Sequence, residues 1–207
     1  VDFSSSADPS YKNSNHEFLK ALDVSAKSSA RRIRKAWSDY ETNVDYGIVP
    51  MDLPKVASCI DAGLETQLYH VSFRNNAFDT HVQQPNLHRR LLSYASDAIF
   101  GFVNDLQRLG HADRVLVMVY SEFGRRVPEN ANLGTDHGSA NNMFFIGNRV
   151  NGGHYGVLPS LVNLIDSGNL AYTTDFRQVY ATAIEDWLKV DSKKVLKGTF
   201  ERFPIFA

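Results

Sequence analysis

The pattern that most constrains this chain is a long helical periodicity that runs almost directly into a buried-strand pattern. From Leu87 to Leu109 the apolar residues Leu91, Leu92, Ala95, Ile99, Phe102, Val103, Leu106 and Leu109 recur every three or four positions. That is the period of a helix with one face in a core. Gly110 supplies a stop signal. Val115-Leu116-Val117-Met118-Val119-Tyr120 is then almost wholly apolar, as expected of an interior parallel strand covered on both faces. A helix feeding such a strand predicts an α/β architecture.

The rest of the chain supports that class. Glu17 to Tyr40 carries Leu19, Leu22, Ala26, Ala30, Ile33 and Trp37 near helical spacing, and Pro54 suits the first turn of a short helix over 54–63, with Gly63 beyond its end. Thr66–Phe73 is rich in β-formers and partly alternates, which predicts a strand. Met143–Ile146 predicts another short strand, Leu158–Ile165 a short helix, and Asp175–Leu188 an amphipathic helix. Residues 1–13, rich in Ser, Asp and Asn, read as a flexible lead-in.

The 207 residues suit a single α/β domain over 1–207, or a carboxy-terminal portion of a larger one. A formal charge of -1 gives no sign of a nucleic-acid surface, and Arg31–Lys35 reads as a solvated helix face. No window reaches the ~18 apolar residues of a membrane span. The lone Cys59 excludes an internal disulfide and is expected to be a buried thiol.

Two polar clusters follow the strand-like runs. Phe78-Asp79-Thr80-His81 comes after Thr66–Phe73. Ser121-Glu122-Phe123-Gly124-Arg125-Arg126 comes after Val115–Tyr120, followed by Gly134-Thr135-Asp136-His137-Gly138. On an extended segment Asp79 and His81 share one side, so a carboxylate oxygen and an imidazole nitrogen can meet one ion. Carboxylates with imidazoles suit Zn, Mn or Fe. Arg125 and Arg126 add planar donors suited to phosphate or sulfate groups. Each element also has a plain structural reading: Asp136 as a turn residue bonding backbone, Glu122 as the ion-pair partner of Arg125 or Arg126, His154 as a loop histidine, His70 as a packed strand histidine, and His88 and His111 as surface residues.

These ordered runs, with Gly152-Gly153, Tyr155-Gly156, Thr174-Asp175-Phe176-Arg177, Tyr180 and Trp187, closely resemble the domain-of-unknown-function family 1501 from about residue 35 onward. That family looks like a branch of the alkaline phosphatase and sulfatase superfamily. The resemblance implies a doubly wound alkaline-phosphatase-like sheet, of which this chain would form the carboxy-terminal part. It implies a divalent metal, Zn or Mn, held by Asp79, His81 and His137, with Glu122 at the strand end as a second-ion ligand or orienting carboxylate. A second register places Asp136 and His137 on the superfamily's Asp-His pair, with His154 as the later histidine.

Three departures accompany the resemblance. Phe123 stands where a second-ion histidine is expected. Asn75, Asn76 and Ala77 replace the usual glycines. No strand bearing a Ser or Thr nucleophile precedes Thr66. Two functions follow as expectations. One is a metal-dependent hydrolase of phosphate or sulfate esters, complete only with an amino-terminal half, with Arg125 contacting the oxyanion. The other is a non-catalytic binding module that keeps the fold, completed by a partner chain. The resemblance also implies export to the periplasm or exterior.

Overall fold

A computed structural model describes residues 14–73 and 76–206; the expected lead-in over 1–13 lies outside them. The described residues group into two compact units, one comprising residues up to 43 with 54–70, the other 44–53 with 71 onward.

The first unit contains helix α1, Ser14–Ser38, and all but the first residue of helix α2, Leu53–Asp61. Pairs one turn apart brace α1, with Lys27 Nζ 2.8 Å from Asp23 and Lys35 Nζ 2.6 Å from Asp39. Its apolar positions Leu19, Leu22, Ile33 and Trp37 are exposed, whereas Ala36 is buried. Pro54 occupies the first turn of α2, which buries Ala57, Ser58, Ile60 and, as expected, Cys59. Gly63 follows with φ 67°, the left-handed conformation that ends helices. Residues 66–70 of the expected strand belong to this unit, and His70 is exposed rather than packed. A strand exists only where a neighbour takes up its ladder, and Thr66–Phe73 pairs with none of the described strands.

The second unit is built on helix α3, Gln84–Arg108, which matches the opening periodicity. Pro85 sits at its start, and Leu91, Ala98, Phe102 and Leu106 face the core. The segment before α2 lies close against this helix at Gly101, where an added Cβ would fall 2.5 Å from the Asp45 carbonyl oxygen. Only glycine permits that approach. Gly110, with φ 75°, ends the helix, and a 3₁₀ turn at Ala112–Arg114 leads onward.

Among the described residues six short strands follow: β1 Val117–Val119, β2 Gly124–Arg125, β3 His137–Gly138, β4 Phe144–Ile146, β5 Leu164–Ile165 and β6 Asn169–Leu170. They form three separate antiparallel pairs, β1 with β4, β2 with β3 and β5 with β6. This overturns the doubly wound sheet. Such a sheet needs parallel neighbours joined by crossovers, and every described pair is antiparallel. The fold is instead a small α/β arrangement with separate two-stranded sheets.

The run Val115–Tyr120 does contain a strand, but β1 is half-buried and pairs antiparallel with the expected strand at Phe144–Ile146. The helix expected over Leu158–Ile165 is absent. There the Ser160 hydroxyl accepts from the Val162 and Asn163 amides at 3.2 and 2.9 Å, and the segment ends in β5. A side chain that takes up these amides favours a turn over a helix.

Helix α4, Phe176–Thr182, is capped by Asp175, which accepts from Arg177 N at 2.9 Å, and continues through a π-helical turn at Ala183–Trp187. The single amphipathic helix expected here is thus present with a change of pitch. Helix α5, Ser192–Leu196, is capped in the same way by Asp191. No helix among the described residues is long and apolar enough to cross a membrane.

Candidate metal centre

The loop before α3 carries the first two functional side chains. Asn76 takes a left-handed conformation, φ 48°, and its carbonyl accepts from Asp79 N at 2.8 Å. Thr80 is buried, while its neighbours Asp79 and His81 reach the surface. The Thr80 hydroxyl accepts from Gln84 Nε2 at 3.0 Å and lies 3.0 Å from His88 Nδ1. Thr80 thus anchors the loop to the first turns of α3.

The β2–β3 pair carries the third. Arg125 pairs with His137 and Gly124 with Gly138. A Cβ at Gly124 would fall 1.6 Å from the Ala140 carbonyl oxygen, so the chains could not close around any other residue. The connection between the strands returns to the first loop. Asn130 Nδ2 donates to the His81 carbonyl at 3.1 Å, and the Gln83 and Gln84 amides donate to Asn132 and Leu133 carbonyls at 2.9 Å each. Thr135 Oγ1 donates to Gln84 Oε1 at 2.9 Å.

These ties bring Asp79, His81 and His137 together, with one ligand atom from each inside a 4.8 Å span. Asp79 Oδ1 lies 2.7 Å from His137 Nε2 and 2.8 Å from His81 Nε2. The far side of the His81 ring meets Asp136, with Nδ1 3.4 Å from Oδ1. The hydrogen bond from His137, followed by the charge of His81, holds the Asp79 carboxyl below the ordinary carboxylate range. The Asn130 amide is the main cause of the same downward shift at Asp136, with His81 adding to it. His81 is half-buried and the other two are exposed, with side-chain accessibilities of 38% for His81, 39% for Asp79 and 46% for His137. One carboxylate oxygen and two imidazole nitrogens form a donor set that fits Zn or Mn.

The other expected residues are distributed around this cluster. Asp136 touches His81 without joining the three-residue group. Glu122 and His154 are exposed and outside it. Arg125 donates from Nη1 to the Thr135 carbonyl and from Nη2 to the Phe78 carbonyl, both at 2.6 Å, and Nη2 is 4.0 Å from Asp79 Oδ1. Burial pulls its pKa down, against the opposing pull of Asp79 and Asp136. The Phe123 ring lies flat on His137, with centroids 3.7 Å apart and planes 10° apart.

Several supporting residues escaped the sequence reading. His88, expected on the surface, is half-buried edge-on to Phe78 at 5.4 Å. Gln84 and Asn130 gave no motif signal. Thr80 did give one, because a residue between two outward neighbours in an extended run points inward.

Fold and site together define a small α/β protein with an acid–imidazole cluster able to hold a metal ion. The chain belongs to the DUF1501 family, proteins of unknown function, whose family model matches residues 5–200. No curated protein and no solved structure matches it. The expected place in the alkaline phosphatase and sulfatase superfamily is therefore corrected. Neither the sheets nor any matched protein supports it.

Proposed function

We propose that Asp79, His81 and His137 hold one divalent transition-metal ion, zinc or manganese, and that the chain contributes this centre to the hydrolysis of phosphate or sulfate esters. The observation that carries the reading is the convergence within 4.8 Å of three ligand atoms, two from the loop before α3 and one from the start of β3. Three protein ligands on a solvent-facing surface leave a coordination position for water or substrate, the arrangement of catalytic rather than structural zinc sites. The ion would supply Lewis-acid polarisation of an ester oxygen and activation of water.

The residues do the rest. Asp79, kept ionised by its two histidines, supplies the negative charge that attracts the cation. Asp136 is suited to fix the His81 ring through Nδ1, which leaves Nε2 for the ion. Glu122, next to Phe123 and exposed, is assigned to turnover rather than to holding this ion.

A second reading has its own support. Both imidazoles already meet one Asp79 oxygen at hydrogen-bond distance, so the cluster can tie its loops together without an ion, as in a non-catalytic module. Metal analysis after saturation with Zn or Mn separates the two. The metal reading expects one ion per chain, lost in His81→Ala and His137→Ala; a stoichiometry near zero in the unmodified protein refutes it. Release of p-nitrophenol from its phosphate or sulfate ester, dependent on the bound metal and reduced in Glu122→Gln, tests the hydrolytic part.

A further inference from the structure

We infer that Phe123 and Arg125 are positioning residues of the metal centre, with Phe123 fixing the ring of His137 and Arg125 fixing the two loops that bring the ligands together. The inference rests on the metal reading above and assigns roles to two side chains that touch no metal.

Phe123 and Arg125 stand two apart on one side of an extended segment, and His137 is the cross-strand partner of Arg125. Phe123 therefore reaches His137 diagonally, a distance aromatic side chains span across paired strands. Two neutral aromatic rings favour offset or edge-on packing with centroids about 4.5–7 Å apart. Here the centroids are 3.7 Å apart and the planes within 10° of parallel. Face-on contact becomes favourable when one ring carries positive charge, because the negative face of the phenyl ring then attracts it. An imidazole that donates to a metal cation acquires such a charge. The stack thus holds the His137 plane in place and favours its metal-bound form.

Arg125 also meets the Phe123 ring, its guanidinium carbon 5.0 Å from the centroid. Its two terminal nitrogens donate to the carbonyls of Phe78 and Thr135, the residues immediately before Asp79 and Asp136. One planar fork therefore ties both acid-bearing loops at fixed separation. Lysine, a point charge with no fork, cannot hold two carbonyls in that geometry. With one proton of each terminal nitrogen donated to a backbone carbonyl, Arg125 acts on the scaffold of the site.

The test uses the full chain with Co(II) as the probe, in wild type, Phe123→Leu, Phe123→Tyr and Arg125→Lys. The metal-free protein gives an independent measurement, since a ring stacked on His137 shifts the imidazole proton resonances upfield. That shift is expected in wild type, lost in Phe123→Leu and restored in Phe123→Tyr. Cobalt affinity is expected to fall about 10–100-fold in Phe123→Leu and Arg125→Lys, the usual effect of removing a ligand-orienting partner. The visible cobalt bands should change with it, while Phe123→Tyr keeps both. Wild-type cobalt affinity and spectrum in Phe123→Leu and Arg125→Lys would overturn the inference. If wild type binds no cobalt, the metal reading fails, and a His137 shift unchanged in Phe123→Leu overturns the positioning role on its own. Should Phe123→Leu not fold, Phe123→Met makes the same comparison.

Discussion

Two aspartates near the two ends of α3 show how the same side chain serves different ends. Asp105, in the last turns of the helix, is fully buried and accepts from Tyr46 Oη at 2.7 Å and Arg108 Nε at 2.8 Å. Asp79, in the loop before the helix, is exposed, and its two close partners are imidazoles. Here the phenol and the guanidinium each donate a proton to a carboxylate that water does not reach, so Asp105 cements the core. An imidazole nitrogen can exchange its proton for a metal, so the Asp79 cluster can change state. Burial with fixed donors makes a carboxylate structural; exposure with imidazole donors leaves it available for chemistry.

The largest expected effect tests the first half of that contrast. Asp105→Ala removes the buried carboxylate that accepts from the Tyr46 hydroxyl and from Arg108, and should cost about 3 kcal/mol, since a hydrogen bond to a charged group contributes about 1.5–3 kcal/mol. Asp79→Ala should leave the unfolding midpoint close to wild type, since the site it occupies is open to water. Urea denaturation of both variants measures the difference. Equal losses in the two would break the comparison.

Metal addition tests the second half. Zinc at about a hundredfold excess over its dissociation constant should stabilise the wild-type protein by about 2.7 kcal/mol, because a ligand of the folded state alone shifts the unfolding equilibrium. Asp79→Ala, His81→Ala and His137→Ala should lose that increment, and Asp105→Asn should keep it provided it folds. Thermal unfolding with and without zinc reads this directly. A stabilisation that survives in all three ligand variants would place zinc elsewhere on the chain.

The contrast also marks what the sequence could carry. Asp79 and His81 were legible because an acid and an imidazole two apart on an extended segment are a chemical signal, whereas His137 was reached through the family resemblance. Helix α3 was legible because a 25-residue amphipathic pattern has few alternatives. Asp105 was not singled out, since the periodicity that places Phe102 and Leu106 in the core is silent about a polar residue between them. The sheet was misread for a related reason. Apolar runs such as Val115–Tyr120 record a preference for extended, covered backbone, but pairing partner and direction depend on segments far away in the chain. Thr66–Phe73 shows the same limit, with β-forming residues and no described strand beside it.

A smaller effect concerns acid. The Asp79 carboxyl titrates below its ordinary value of 3.8 because His137 and then His81 favour its ionised form. A depressed folded pKa means that the unfolded chain takes up its proton first as pH falls. The stabilisation is therefore present above about pH 3.8 and disappears as pH drops through the folded value. Asp79→Asn should flatten the stability profile in that acid window, lying slightly below wild type at neutral pH and converging with it once both states are protonated. An unaltered acid slope in this variant would show that the two histidines do not favour the carboxylate.

The smallest effect separates His88 from the two histidines of the cluster. His88 points into the loop scaffold, against Thr80 and Phe78, and burial followed by the nearby charge of Arg125 lowers its pKa from 6.5. The unfolded chain therefore binds the proton more readily than the folded one. Stability should decline as pH falls below about 6.5 and level off once the folded group also titrates. This window opens at 6.5 and that of Asp79 at 3.8, so one pH series can follow both contributions. His88→Gln should remove the upper step while leaving zinc binding intact, because His88 lies outside the ligand group. Loss of zinc binding in that variant would mean that the Thr80–His88 contact sets the ligand loop, and the division between scaffold and site would move outward by one layer.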